Sequence, residues 1–309
     1  MATAAAAAAA AAVASHYNSR PDAGLEARNE SPILPLRKFN NWVKSAIISQ
    51  FGRRGGRVLD LGAGKGGDLR KWAAANVREL VLVDIADQSI EQARARYSEK
   101  RQPFAASFFA FDAFGTSVDE HIPHELLAPG FDNVTLQFCM HYAWENVSKA
   151  RLMLENVSRY LRPGGVFLGT IPDADRLRRD LASLPGEQLA FGNDFYQVRF
   201  DPAQSEKKQL CPPFGHRYTF WLKDAIDECD EYVVDFEEFE SLAAQVGLRL
   251  IYRKTFEQVW LDESAAGGEA ARLLRQMGVP SPQHSDLPMP PGLWEAASLY
   301  LAFAFEKLP

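Results

Sequence analysis

Between Gln137 and Tyr142 the chain places an amide, an aromatic ring, an imidazole and a phenol within six residues, directly after an apolar run that ends at Leu136. A strand end crowded with planar and hydrogen-bonding side chains is suited to holding a flat, polar ring. Two other clusters could share its chemistry. Gly62-x-Gly64-x-x-Gly67 closes a short apolar run, and glycines there let the backbone approach a ligand at the carboxyl end of a strand. Asp84 and Asp112 end the next two apolar runs, and an acidic segment, Asp227-Glu228-Cys229-Asp230-Glu231, lies downstream. By residue pattern alone that segment reads as a solvated face, and nothing in it singles out one carboxylate.

Alternating strands and helices must position these groups. Helices are predicted over Phe39–Ile48, Asp68–Ala75, Gln88–Lys100 and Lys149–Leu161. Strands are predicted over Arg57–Leu61, Leu80–Asp84, Ser107–Phe111, Val134–Phe138 and, after the tight turn Arg162-Pro163-Gly164-Gly165, Val166–Ile171. Short apolar strands alternating with helices imply an α/β fold, Rossmann-like, with a mostly parallel sheet and helices on both faces. Beyond Asp173 the pattern loosens. Asp201–Gly215 reads as an insertion, Phe236–Val246 as a helix, Leu248–Phe256 and Ser298–Phe305 as strands, and Gly267–Gly292 as a long, mobile connection.

Three ligands compete for the glycine loop. A P-loop needs Gly-Lys-Ser/Thr, and here Lys65 is followed by Gly66. A nicotinamide enzyme fits the glycines and Asp84. It leaves Asp60 before the loop, Asp112, and Leu161-Arg162-Pro163-Gly164-Gly165 without a common explanation. That combined set resembles the S-adenosylmethionine-dependent methyltransferases of class I. In that superfamily the acid ending strand two accepts both ribose hydroxyls, which fits Asp84, and the residue ending strand three faces the adenine, which fits Asp112.

The resemblance narrows to the eukaryotic mRNA cap guanine-N7 methyltransferases. It rests on His16-Tyr17-Asn18, Phe39-Asn40-Asn41-Trp42-Val43-Lys44, the loop from Val58 to Leu69, Gln137-Phe138-x-x-His141-Tyr142, Phe191-Gly192-Asn193, Lys254-Thr255-Phe256, and Trp294-Glu295-Ala296 through Tyr300 to Phe305. Ala63 stands where a cysteine is common in the family. The resemblance implies that Lys44, Gly62, Asp84, Asp112, Gln137 and Tyr142 contact S-adenosyl-L-methionine. It implies that Asn40, Asn41, Lys65, Lys71, Arg96, His141, Glu231 and Tyr300 surround the cap, with His141, Glu231 and Tyr300 at the reacting base. The implied substrate is the GpppN end of nascent mRNA. The implied setting is the nucleus, near RNA guanylyltransferase and RNA polymerase II.

The chemistry agrees with those assignments. Guanine shows donors at N1 and N2 and an acceptor at O6. One carboxylate, Glu231, can take both donors while His141 donates to O6, and Phe138 or Tyr300 can stack on the ring, worth about 1–3 kcal/mol. Guanine N7 carries a free lone pair, so neither a general base nor a metal is expected. Plainer roles stay open at several positions. Asp112 can be strand-end solvation, Asp68 can complement a helix dipole, Lys71 and Arg96 can be solvated helix faces, Phe138 can be core, and His141 can be structural. Two other functions remain: a small-molecule N-methyltransferase on the same fold, and a non-catalytic cap-binding protein.

Composition sets the outer bounds. With 47% hydrophobic and 24% charged residues, the 309-residue chain suits one large α/β domain, expected over residues 15–309. The alanine-rich stretch Met1–Ala14 is expected to be a low-complexity tail; it lacks a basic start and its first arginine is Arg20. Three cysteines without paired spacing argue against a disulfide framework or zinc site. No later run is long and apolar enough to span a membrane. A formal net charge of −6 favours reading one RNA end over coating a phosphate backbone.

Overall fold

A computed structural model describes residues 2–19, 29–99, 102–203, 208, 210, 213–265 and 267–309. Strands β1 (Arg57–Leu61), β2 (Glu79–Asp84), β3 (Ala105–Ala110), β4 (Phe131–Gln137), β5 (Leu161–Pro172), β10 (Leu248–Thr255) and β11 (Tyr300–Lys307) form one sheet, ordered β10-β11-β5-β4-β1-β2-β3. The β3-β2-β1-β4-β5 ladder is parallel, and β11 runs antiparallel to both β5 and β10. This is the mostly parallel Rossmann-like sheet expected from the sequence. Strands β1 and β4 are buried along their whole length, as continuous apolar runs demand when helices cover both faces. Their carboxyl ends lie side by side, so the glycine loop after β1 and the Phe138–Tyr142 segment after β4 are brought together.

Helix α2 (Leu34–Phe51) covers one face of the sheet. Its buried residues Leu36, Phe39, Val43, Ala46 and Ile47 recur at three- and four-residue spacing, which leaves Asn40, Asn41 and Lys44 half-buried in the middle turns of the same packed element. The core splits across the sheet: Trp42, Trp72 and Phe256 pack on one side, and Trp144, Phe167 and Phe239 on the other.

Three regions differ from expectation. The alanine-rich stretch belongs to a helix, α1 (Ala2–Asn18), packed on α4 (Asp87–Ser98) and β9 (Ile226–Tyr232). Alanine is the best helix former, so low complexity here does not mean absence of structure. Gly267–Gly292 is not one long connection: it contains α10 (Glu269–Gln276), whose Ala271 and Leu274 are buried, and the Ala270 carbonyl accepts a hydrogen bond from Trp42 Nε1. The Arg162–Gly165 turn is absorbed into β5, where the register with β4 shifts between Phe131 and Asn133.

A second, antiparallel sheet, not expected from the residue pattern, is formed by β6 (Ala190–Gly192), β7 (Tyr196–Phe200), β8 (Arg217–Leu222) and β9. The middle of the expected Asp201–Gly215 insertion, between β7 and β8, lies outside the described residues. Strand β9 carries a bulge. Phe220 pairs with Cys229 but Leu222 pairs with Ile226, so β9 spends one residue more than β8, and Glu228 takes φ +44°. The extra residue changes which side chains face inward. Ile226, Cys229 and Glu231 share the face of Tyr218, Phe220 and Leu222, while Glu228 and Asp230 turn outward.

Candidate active site

Two adjoining cavities open at the carboxyl ends of β1, β2 and β4. The larger, about 1000 Å³, is lined by Lys44, Gly62, Gly64, Lys65, Asp84, Arg96, Asp112, Gln137, Phe138 and Tyr142 among others. The smaller, about 170 Å³, is enclosed by Asn40, Phe138, His141, Phe220, Glu231 and Tyr300. Tyr17 and Phe138 line both and form the shared wall.

The larger cavity is built from backbone first. Gly62 has φ +81°, and a Cβ there would lie 2.5 Å from Cys139 Sγ, so the loop can pass β4 only without a side chain. Gly64 and Gly67 face open space, where side chains would intrude on a ligand. Asp84 accepts the Gly64 N–H on Oδ2 at 2.7 Å and the Ala86 N–H on Oδ1 at 2.9 Å. Each oxygen therefore keeps a free lone pair, and the carboxylate can take a vicinal diol. Burial raises its pKa, and the two backbone hydrogen bonds work against that rise. Asp112 is fixed in the same manner, its Oδ1 accepting the Phe114 N–H at 2.9 Å.

A buried ionic cluster forms one side of this cavity. Asp68 lies 2.7 Å from both Lys44 Nζ and Lys71 Nζ. Burial opposes its ionisation, yet the two ammonium groups hold the carboxyl well below the usual range. Lys71 also donates to Asn41 Oδ1 at 2.8 Å, and neither Lys71 nor Asn41 lines either cavity. The structure thus places these two expected cap contacts behind Lys44 and Asp68. Nearby Asp60 is 3% exposed, and burial, then Asp68, push its pKa well up. Gln137 borders the cavity, but its amide is engaged within the sheet: it donates to Thr135 Oγ1 and accepts from Thr170 Oγ1.

Phe138 sits at φ +59°, a strained conformation for a residue with a side chain. Hydrogen bonds from its N–H to Thr170 O and Oγ1 hold the backbone there. Its ring meets Tyr300 edge-on at 5.0 Å, with Lys44 Nζ 5.9 Å above it. The strain aims the ring between the two cavities, so Phe138 is neither plain core nor simple strand end.

In the smaller cavity, His141 Nε2 lies 3.5 Å from Glu231 Oε1, with both side chains 3% exposed. Neither ring nitrogen of His141 has a hydrogen-bond partner among the described residues. Burial drops the imidazole pKa to about 3, so the ring is neutral and offers one donor and one acceptor. Glu231 Oε2 accepts from Tyr218 Oη at 2.7 Å. Burial pushes its carboxyl up to about 8 despite that bond. Asn40 Oδ1 is a further buried acceptor without a hydrogen-bond partner among the described residues. Buried polar atoms left this way are costly, and a polar ligand entering the cavity could pair with them. The cavity has room for one flat bicyclic base.

Sequence reasoning assigned no role to Tyr17, Cys229 or Tyr218, and gave Asp68 only that of complementing a helix dipole. Tyr17 Oη is hydrogen-bonded to Tyr142 Oη at 2.9 Å, and Tyr142 Oη lies 3.5 Å from Cys229 Sγ. The available signal for Tyr17 was its place beside His16 and Asn18 in an otherwise alanine-rich segment. No metal-ligating group of three or more His, Cys, Asp or Glu side chains occurs among the described residues, and no helix among them is long and apolar enough to cross a membrane.

Comparison with known proteins agrees with this arrangement. A family model described as the mRNA (guanine-N(7))-methyltransferase domain matches residues 1–308. The chain is 48% identical over 301 residues to the mRNA cap guanine-N(7) methyltransferase of Cryptococcus neoformans, covering 96% of this chain and 47% of that protein. It is 42% identical to the enzyme of that name from Schizosaccharomyces pombe, covering 96% and 81%. The chain therefore spans about half the length of the Cryptococcus relative. Among solved structures, the CcbJ methyltransferase from Streptomyces caelestis shares the fold, with TM-score 0.50 at 13% identity over 97% of this chain and 98% of that one. Fold, paired cavities and sequence converge: this chain belongs to the mRNA (guanine-N(7))-methyltransferase domain family.

Proposed function

We propose that the chain transfers a methyl group from S-adenosyl-L-methionine to guanine N7 of a GpppN-capped RNA end. The observation that carries this reading is the buried Glu231–His141 pair at 3.5 Å, in a base-sized cavity that shares the Phe138 wall with a larger, diol-accepting cavity. The larger cavity fits the methyl donor: Asp84 would take the ribose hydroxyls, Asp112 the adenine amine, and the Lys44–Asp68 pair the charged amino-acid end. When bound, the donor supplies an electrophilic methyl group.

The protein's own residues supply orientation and charge. In the smaller cavity Glu231 can accept from guanine N1 and N2, His141 can donate to O6, and Phe138 and Tyr300, in edge-on contact with each other, can form one aromatic wall against the ring. Since N7 has a free lone pair, Glu231 and His141 need not remove a proton from it. Holding the base at Phe138 turns a bimolecular encounter into an aligned one. As positive charge reaches the purine, the Glu231 carboxylate stabilises it from a fixed position in a water-poor cavity. Lys65 and Arg96 line the larger cavity and can meet a triphosphate. We place this reaction on nascent transcripts in the nucleus, with RNA guanylyltransferase and RNA polymerase II as the partners that the family resemblance implies.

Glu231→Gln tests the assignment. It keeps the shape but offers a donor where two acceptors are needed, and it removes the charge. We expect kcat/KM for GpppG-ended RNA to fall at least ~10²-fold, on the order of 3 kcal/mol, with donor affinity little changed. Wild type should lose part of its advantage on inosine-capped RNA, which lacks N2, and the variant should discriminate less between the two caps. Wild-type turnover by the variant would show that the guanine-reading group lies elsewhere. Turnover of small amines with no response to capped RNA would favour a small-molecule N-methyltransferase.

A further inference from the structure

Glu231 is the carboxylate on which guanine recognition rests in the reading above, and Tyr218 is its directly paired neighbour across β8 and β9. Tyr218 is 1% exposed, and its hydroxyl donates to Glu231 Oε2 at 2.7 Å. That bond takes one lone pair of Oε2. The other lone pair of Oε2 and both of Oε1 stay available to the cavity, so one carboxylate can still meet the two donors of a guanine edge. We infer that Tyr218 is a positioning residue for the cap: its hydroxyl fixes the Glu231 carboxyl group and sets how readily that group sheds its proton when the base docks, so that cap binding is coupled to release of one proton to solvent.

The surroundings of Glu231 support this coupling. The groups facing it are Tyr218 from β8, His141 and Tyr142 from the turn after β4, Tyr17 from α1, Cys229 from its own strand and Tyr300 from β11. None is cationic: burial lowers the His141 pKa and raises those of the four phenols. Without a positive neighbour, burial holds the Glu231 carboxyl up at about 8, and only the Tyr218 bond pulls it down. Below that pH the free site contains the neutral acid, which offers guanine one donor and one acceptor. Guanine N1–H and N2–H need two acceptors, so docking selects the carboxylate and expels its proton. Cap affinity should therefore rise with pH through the pKa of Glu231 and level off above it.

Two measurements decide the matter. In the first, protein saturated with S-adenosylhomocysteine is titrated with GpppG at pH 7 by calorimetry, in buffers of different ionisation enthalpy. Wild type should release close to one proton per cap bound and Glu231→Gln none. In the second, the pH dependence of kcat/KM for GpppG-ended RNA is compared between wild type and Tyr218→Phe, which loses only the hydroxyl. A hydrogen bond to a charged group corresponds to roughly one to two pH units, so the rising limb should move up by that amount. At pH 7 the cap KM should rise about 10- to 100-fold, with kcat at saturating cap and S-adenosylhomocysteine affinity nearly unchanged. A purely structural role for Tyr218 would lower stability or both kinetic constants without moving the limb. Wild type that methylates GpppG-ended RNA but releases no proton, or a Tyr218→Phe limb that coincides with wild type, overturns the inference and leaves the functional reading standing. Wild type that neither binds nor methylates the cap overturns both. If Tyr218→Phe fails to fold, the proton counts of wild type and Glu231→Gln still decide.

Discussion

Asp84 and Glu231 show at residue scale how one chemical group serves two ends. Asp84 is half-buried and Glu231 buried, and desolvation raises the pKa of both, but Asp84 is braced by two backbone N–H groups and Glu231 by a single phenol. Backbone hydrogen bonds favour the charged form, as a ribose-binding acid requires. A carboxyl left with less support can instead exchange its proton for a ligand. Asp84→Ala should weaken binding of S-adenosylhomocysteine by about 10²- to 10⁴-fold, because two charge-assisted bonds of about 1.5–3 kcal/mol each disappear. Calorimetry returning near wild-type affinity would remove Asp84 from the donor site. Asp84 was legible in the sequence because an acid at a strand end beside a glycine loop has few other uses. Glu231 was not, since Asp227, Glu228, Asp230 and Glu231 have the same chemistry and only backbone geometry distinguishes them.

That geometry belongs to the element scale, in the bulge of β9. One additional residue, with Glu228 at φ +44°, turns Glu231 and Cys229 inward and leaves Asp230 in solvent. Glycine tolerates this conformation and a β-branched residue does not. Glu228→Val should therefore lower Tm and raise the cap KM, with a cost of about 1–3 kcal/mol. Glu228→Gly should keep wild-type stability and cap affinity. Both remove the same exposed carboxylate, whose ion pair with Arg199 at 3.4 Å has half-exposed partners and contributes little. Equal behaviour of the two variants in thermal melts and cap kinetics would mean that the bulge does not set the orientation of Glu231. The strands of the main sheet were readable as apolar runs because they are buried on both faces. The strands of the second sheet were overlooked because the interruption between β7 and β8 masked the alternation in Tyr196–Phe200, where buried and exposed residues follow one another. Helix α1 was overlooked for a different reason: alanine repeats carry no amphipathic period to read.

For the whole molecule, the two sheets divide the work. The parallel sheet brings the glycine loop, Asp84 and Asp112 to one edge, the antiparallel sheet supplies Glu231 and Tyr218, and Phe138 and Tyr17 stand at the junction. The side chains to which the proposed reaction is assigned lie within this chain, which spans about half of the Cryptococcus relative. None of them forms a metal-ligating cluster among the described residues, and guanine N7 needs no metal to act as a nucleophile. The direct test uses the 309-residue chain alone with methyl-labelled S-adenosylmethionine, GpppG-ended RNA and a chelator. The product is digested with nuclease and the labelled position identified. Transfer to N7 of the cap guanine is expected, at a rate the chelator leaves unchanged. Label on a ribose 2′-oxygen, on guanine N2 or within the RNA body, or transfer that returns only with a specific divalent ion, would contradict it.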